Sequence, residues 1–387
     1  MDFFTKKLAY VWLRFSESAV NCIVFFYSIL FSKKIKTNQV KSIGAYWYYP
    51  PDLTGSNLRL GGWKEYYERD GFIYENLHIL SFKDWSNVKK SNSWTKKYNY
   101  FAKILWQRLP QLLKAHKYDV IWVDRSLIPF YPRKTAFLEK RLKKVVSKMV
   151  VDSTDGGDFQ SNPTLMKGVF EAADELTVGY KYLKEHYGKS YKVTQVFWTI
   201  PQDNYIIKTE YSFDKELPTI GWMGSPGNFE HVKGLIPILN EVYNEIPFVF
   251  KYICREDMGS FLKEIKREQH FFGADYYSIL GQFDIGICPF LEVNLRTQGK
   301  IAMKHQEFLL MGVPQICSNV AISEFVEHEK DVLIANNMED WKNNLVRLLK
   351  EESVRKELGI NSRELFLKYY QYEGQYPILK QVLTQNK

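Results

Sequence analysis

The chain has 387 residues, room for two domains of ordinary size, and is 45% hydrophobic, 25% charged and 16% aromatic. Such a chain buries a sizeable core, which excludes bulk disorder, a collagen-like fibre and a disulfide miniprotein. Its net charge of +9 is uneven, +16 over residues 1–148 and −7 beyond, so the basic half calls for an anionic partner, a membrane surface or nucleic acid.

The first 37 residues hold a nearly unbroken apolar run, Ala19 to Phe31, followed by Lys33, Lys34 and Lys36. The run is shorter than the about twenty residues that span a bilayer. Glu17 and Arg14 stop its extension toward the N-terminus, and no small-residue cleavage site follows it. Aromatics with lysines beyond them favour a helix lying in the membrane interface. The alternatives are a helix packed on the protein's own core and a true span. The four cysteines, Cys22, Cys254, Cys288 and Cys317, lie far apart and read as buried thiols of a reducing compartment.

Lys41–Tyr48 predicts a first strand, a loop over Pro50–Ser56 follows, and then a helix over Leu58–Arg69. Phe72–Phe82 supplies a second strand, Tyr98–His116 a basic helix, and Asp119–Val123 (DVIWV) a buried strand. Lys134–Ser147 reads as a second basic helix, and Met149–Asp152, Leu176–Val178 and Val193–Trp198 as further strands. Strands alternating with helices signal a parallel sheet with crossover helices.

Pro201–Pro218 is polar and lacks helical periodicity, so the linker is placed there. The pattern then restarts, with strands at Thr219–Met223, Phe248–Ile253, Ile285–Cys288 and Gln315–Cys317. Helices are expected at Val232–Tyr243, Asp257–Glu268, Lys300–Met311, Ile322–Glu327 and Asp340–Lys350, and the stretch Leu365–Leu383 is helical with a break near Gly374. The expected organisation is an amphipathic extension (1–37), a first Rossmann-like domain (38–200), a second (201–365), and a C-terminal helix (366–387) returning to the first domain.

Chemistry concentrates in Phe283–Glu327. A strand ends at Pro289 and a loop leads to the helix expected from Lys300. Ligands of parallel sheets bind at the carboxyl ends of strands, and helix N-termini favour phosphate. Lys300, Lys304 and Glu307 are spaced four and three apart, on one helix face, with Arg296 just before them. Three cations suit a diphosphate, and a carboxylate a turn further on suits ribose hydroxyls. A plain surface helix with a Lys304–Glu307 pair fits the same spacing.

The run Lys304–Pro314 (KHQEFLLMGVP) resembles the nucleotide-binding segment of family 4 retaining glycosyltransferases, whose pattern is roughly K-x-x-E-x-x-x-x-G-x-P. Lys304, Glu307, Gly312, Pro314 and Glu324 match it in order, and Ile220–Ser225 (IGWMGS) is similar to the glycine loop opening that family's second domain. Weaker likenesses are YDVIWVDR with Pro129, VVDSTDGGD over Val150–Asp158, and Ala173–Leu183. The resemblance covers about residues 41–387 and leaves 1–37 unmatched. Two positions depart from the pattern. Gly299 stands where the first glutamate of an E-x7-E pair is usual, and Ser225 where the glycine loop usually carries arginine.

The resemblance implies an α/β GT-B fold, two Rossmann-like domains facing across a cleft. It implies a retaining, metal-independent glycosyltransferase that moves a sugar from a UDP- or GDP-linked donor to a lipid-linked or other glycan acceptor in bacterial surface polysaccharide synthesis. No cofactor and no metal ligands are implied. The donor side would comprise Gly224, Ser225, Arg296, Gly299, Lys300, Lys304, Glu307 and Glu324.

Asp152, Asp155 and Asp158 follow a short strand and could orient or deprotonate an acceptor hydroxyl, and Lys300 joins them as a catalytic candidate. Asp52, Thr54, Ser56, Asp124 and Arg125 are acceptor candidates; local turn chemistry is the plain alternative for the aspartates. His305 reads as structural. The expected place is the cytoplasm, peripheral on the inner face of the cytoplasmic membrane, with an anionic membrane surface as partner. Nucleic acid accounts for the charge but not for Phe283–Glu327, so none is expected. The rivals are a non-catalytic sugar-nucleotide-binding or scaffold protein on the same fold and another GT-B enzyme such as a sugar-nucleotide epimerase, the latter disfavoured by the lack of a clear His/Asp/Glu set of that type.

Overall fold

The computed structural model describes residues 2–32, 40–51, 54–131, 133–153, 156–213, 217–300 and 302–385; for Asp2, Thr54 and Asp158 only the backbone is described. It divides into two units, residues 1–198 with 372–387, and residues 199–371.

The first unit is built on an all-parallel sheet of β1 (Ser42–Tyr46), β2 (Ile73–Leu77), β3 (Val120–Asp124), β4 (Lys148–Ser153), β5 (Glu175–Val178) and β6 (Val193–Gln195), in the order β2-β1-β3-β4-β5-β6. β1, β3, β4 and β5 are buried along their whole length. Strands covered on both faces are near-continuous apolar runs, and that is why DVIWV is legible as one.

Three helices of this unit matter below: α1 (Asp2–Leu30), α2 (Trp94–Leu112) and α3 (Phe137–Leu142). α1 is far longer than the apolar run Ala19–Phe31. The charges that seemed to end that run, Arg14 and Glu17, pair with each other on the helix. One stripe of α1 (Ala9, Leu13, Ser16, Val20, Val24 and Tyr27) is buried in the unit, so the own-core alternative holds for that face. Cys22 is exposed on α1, unlike the buried Cys254, Cys288 and Cys317. Lys33, Lys34 and Lys36 lie outside the described residues.

The second sheet contains β7 (Thr219–Met223), β8 (Val249–Ile253), β9 (Arg267–His270), β10 (Ile285–Cys288), β11 (Gln315–Ser318) and β12 (Leu333–Ala335), all parallel, in the order β12-β11-β10-β7-β8-β9. Its helices include α4 (Phe229–Lys233), α5 (Tyr276–Leu280), α6 (Leu295–Gln298), α7 (Met303–Met311) and α8 (Glu352–Tyr369). A last helix, α9 (Tyr372–Thr384), belongs to the first unit.

Two expected helices are absent. Over Asp257–Glu268 the chain forms a turn, in which Asp257 accepts the Gly259 N–H at 2.7 Å, and then enters edge strand β9. Ile322–Glu327 is loop.

Two glycines seat α7 on its sheet. Gly221 of β7 and Gly286 of β10 are register partners. A Cβ on Gly221 would stand 2.0 Å from the Phe283 ring, and one on Gly286 2.6 Å from the Phe308 ring. Both rings occupy the space of missing side chains, and Phe308 brings α7 against β10. Gly312 ends α7 in the left-handed region at φ 71°.

Candidate active site

Strand ends in a parallel sheet share one edge, so the loops after β7, β10 and β11 gather residues from far apart in sequence. After β10 the chain runs through Phe290 to Asn294, whose side chain caps α6 by accepting the Arg296 and Thr297 N–H groups. Gly299 closes that short helix, and α7 begins only at Met303. The helix expected from Lys300 therefore begins three residues later than expected, at Met303, after a separate capped turn. Lys300 precedes α7, while Lys304 and Glu307 lie one turn apart on it.

Lys304 is buried, with its Nζ 4.8 Å from the Trp222 ring centroid and 5.1 Å from that of Phe290. Lys300 approaches the same Phe290 ring at 4.6 Å. Among the described residues Lys304 Nζ has no hydrogen-bond partner, so the aromatic faces are what attract it. Burial pulls its pKa down to about 8, and Lys300 adds to the shift. Glu307 is equally buried. Its Oε1 accepts from Tyr205 Oη at 2.6 Å and Tyr276 Oη at 2.8 Å, whereas Oε2 has no partner among the described residues. Burial raises its pKa to about 7 against the pull of the two phenols. The two ionisable groups do not pair with each other.

His231 of α4 stands beside this cluster. Its Nδ1 accepts the Leu291 N–H at 3.3 Å, and its ring centroid is 5.2 Å from that of Phe290. Burial lowers its pKa, and Lys304, Lys300 and Arg296 lower it further against Glu292. A half-buried imidazole repelled by three cations marks a region of positive potential suited to an anion. Arg296 and Ser225 are exposed, Gly224 and Glu324 half-buried, Gly299 buried. Gly224 follows β7, with its N–H on Ile253 O at 3.1 Å and Trp222 where a Cβ would sit. Glu324 lies in the loop after β11. His305 donates from Nδ1 to Gln315 Oε1 at 2.9 Å and accepts the Ser323 N–H at Nε2, which fixes a neutral ring in the core. Burial holds its pKa down to about 4.

In the first unit, Asp124 and Asp152 are register partners at the ends of β3 and β4. Asp152 is fully buried; Arg59 grips both its oxygens, with Nε at 3.0 Å, and Thr177 Oγ1 donates at 2.6 Å. Ser56 Oγ donates to Asp124 at 2.5 Å and accepts the Tyr49 N–H at 2.8 Å. Arg125 sits at φ 61°, a strained value for a side chain of its size, with Nε 3.6 Å from Asp124 and its guanidinium 5.1 Å from the Tyr49 ring. Phe130, at φ 59°, closes the aromatic group against Tyr48 at 4.6 Å. Asp52 and Asp155 lie outside the described residues, as do the side chains of Thr54 and Asp158.

The sequence missed Tyr205, Tyr276, His231 and Arg59. They reach their partners across 102, 31, 60 and 93 positions, and no local pattern carries such contacts.

Residues 240–379 match a family model described as glycosyl transferase-like. No curated protein matches the chain. Among solved structures, a glycosyltransferase from Rickettsia africae ESF-5 is similar over 89% of this chain and 100% of its own, at 14% identity and a TM-score of 0.59. Anabaena Alr3699/HepE in complex with UDP and glucose is similar over 89% of this chain and 98% of its own, at 10% identity and a TM-score of 0.61. The same protein in complex with UDP-glucose aligns at 11% identity over 89% of this chain and 99% of its own, again at 0.61.

The fold is GT-B. The two six-stranded parallel sheets are its two Rossmann-like halves. In a GT-B chain the second half offers the strand-end cluster of Lys304, Glu307 and His231, and the first offers Asp124, Arg125 and Ser56.

Proposed function

We propose that this protein is a retaining, metal-independent glycosyltransferase. It moves a sugar from a UDP- or GDP-linked donor to a lipid-linked glycan in the synthesis of a bacterial surface polysaccharide, at the inner face of the cytoplasmic membrane. One observation carries the reading: α7 holds a buried ammonium and a buried carboxylate one turn apart that do not neutralise each other. A nucleoside diphosphate compensates both, its phosphates meeting Lys304 and its ribose hydroxyls meeting Glu307 Oε2.

In this reading Lys300 and Arg296 share the leaving diphosphate's charge, which removes the need for a metal ion. Gly224 and Ser225 approach the phosphates through backbone, Gly299 leaves room for the donor sugar, and Glu324 contacts that sugar. On the acceptor side Arg125 and Asp124 hold the glycan, helped by Ser56, Thr54 and Asp52. Asp155 and Asp158 are the candidates for assisting its hydroxyl, and Asp152 fixes the end of the strand that precedes them. UDP-glucose in the complex of Alr3699/HepE supports a UDP-sugar as the first donor to try. The second reading, a sugar-nucleotide-binding protein without turnover, is favoured by Gly299 and Ser225.

The test is nucleotide release from a panel of UDP- and GDP-sugars, with membrane extract as acceptor, for wild type and Glu307→Ala. Release by wild type, unaffected by chelator and lost in the variant, is expected, with the donor's anomeric configuration kept in the product. Binding without turnover selects the second reading, and no binding of any donor rejects both.

A further inference from the structure

We infer that α1 is an in-plane membrane helix, whose outer face enters an anionic bilayer surface while its inner face holds the acceptor end of the first sheet at that surface. This deepens the membrane part of the proposed function and rests on it only for the identity of the acceptor.

The outer face is the first observation. About half of the exposed large apolar side chains among the described residues lie between Phe3 and Phe31, a small part of the chain. Phe4, Leu8, Val11, Phe15, Phe26 and Ile29 recur at helical spacing on one stripe, opposite the buried one. A continuous apolar stripe on an exposed helix marks an interaction surface.

The second observation is that α1 is fastened along its length. Ser16 Oγ accepts from Trp106 Nε1 of α2 at 3.0 Å. Tyr27 Oη accepts the His116 N–H at 2.8 Å and meets its Nδ1 at 2.9 Å. Near the same end, Phe25 lies 4.3 Å under the guanidinium of Arg141 on α3. By length and composition α1 suffices to cross a membrane. Standing upright, however, would strip these contacts and bury the polar flank of Lys7, Arg14, Glu17 and Ser18 in hydrocarbon. Lying flat keeps them all.

Charge selects the occupant. Lys6 and Lys7 on α1, with Lys89, Lys90 and Lys96 before and on α2, are exposed. Tyr10 packs on Tyr98 at 5.4 Å, which puts the start of α1 against this basic stretch. Apolar side chains bordered by lysines match an anionic lipid surface better than a second copy, whose equal charge would repel. Glu17 then ties the helix to chemistry. It accepts from Tyr131 Oη at 3.0 Å, in the loop that carries Arg125 and Phe130. The acceptor side of the first unit is thereby held beside the lipid headgroups.

Cys22 makes the test simple, because it is the one exposed cysteine and lies near the outer stripe. The full chain is labelled there with a polarity-sensitive fluorophore and mixed with vesicles of phosphatidylcholine alone or with phosphatidylglycerol. Emission should shift blue with the anionic vesicles only. Phe15→Glu/Phe26→Glu changes two exposed positions and should weaken vesicle binding at least tenfold, with circular dichroism and soluble donor turnover unchanged. A second label at Leu8→Cys, in a Cys22→Ser background, should be quenched by spin-labelled lipids at the same depth as Cys22. A helix crossing the bilayer would separate the two sites by roughly 20 Å and would overturn the in-plane mode. No vesicle binding, or a wild-type dimer abolished by the double change, would overturn the lipid surface itself. Donor turnover in solution stands or falls independently of all these results.

Discussion

Replacing Glu307 by glutamine should stabilise the protein without ligand at alkaline pH and slightly destabilise it at acid pH. Burial lifts the Glu307 carboxyl from its ordinary value of 4.5 to about 7. The native state therefore holds a proton that the unfolded state has released between those two values, and stability falls as pH climbs through the interval. At about 1.4 kcal/mol per pKa unit, the ionised side chain costs the native state about 3 kcal/mol once pH exceeds 8. Glutamine removes that cost. Its carbonyl still accepts from Tyr205 and Tyr276, but its amide takes the place of Oε2, which has no described partner. An unsatisfied buried donor returns about 1–2 kcal/mol. The net gain is about 1–2 kcal/mol at pH 8.5, or about 2–8 °C in the transition of a unit of this size. Near pH 5 Glu307 is protonated in the native state, so most of the carboxylate's cost is gone while the amide's remains, and the variant should be the less stable by up to about 1 kcal/mol. Calorimetry at the two pH values, without nucleotide, reads the difference. A variant that is less stable by the same amount at both values would refute the argument, because it would mean that the carboxylate is not strained by burial.

Lys304→Met should raise the melting temperature at pH 7, where the buried ammonium is charged in both states, and weaken UDP-sugar binding at least tenfold by titration calorimetry. As pH rises from about 8 toward 10.5 wild type sheds the proton early and gains stability, so the advantage of methionine should shrink. Asp152→Asn leaves the buried Arg59 without its carboxylate and should cost about 3–5 kcal/mol in denaturant unfolding of the first unit; a loss below about 1 kcal/mol would mean the pair is idle. Gly312→Ala places a Cβ at φ 71°, 3.1 Å from the Gly359 carbonyl oxygen, and should cost about 1–2 kcal/mol by thermal unfolding.

The parallel sheets were legible because their central strands are buried on both faces and so must be apolar throughout, as DVIWV and IGIC are. β9 was not. Its residues, REQH, sit at an edge, partly exposed, and carry no apolar signal to set against the helical look of the preceding turn. β12 is three residues long, too short for a period to show. The N-terminal half of α1 was hidden by Arg14 and Glu17, charges that read as an end to an apolar run and prove to pair along the helix. Lys304 and Glu307 stood out through local spacing on one helix. What holds and tunes them is recruited by the sheet order, so Tyr205, Tyr276 and His231 could be found only in three dimensions.

The discontinuity of the first unit has a consequence for how the protein is made. Tyr376, Leu379, Val382 and Leu383 of α9 share one core with Ile43, Val120, Trp122 and Val150, and Lys148 Nζ donates to the carbonyls of Val382 and Gln385. A ribosome delivers that helix only after the whole of residues 199–371. At about 5–20 residues per second, the first sheet waits roughly 10–35 s with part of one apolar face uncovered. The second unit, contiguous in sequence, is free to fold during that wait. The half synthesised last is thus positioned to mature first, and the nascent chain's exposed surface is a demand on chaperones that the finished molecule no longer displays.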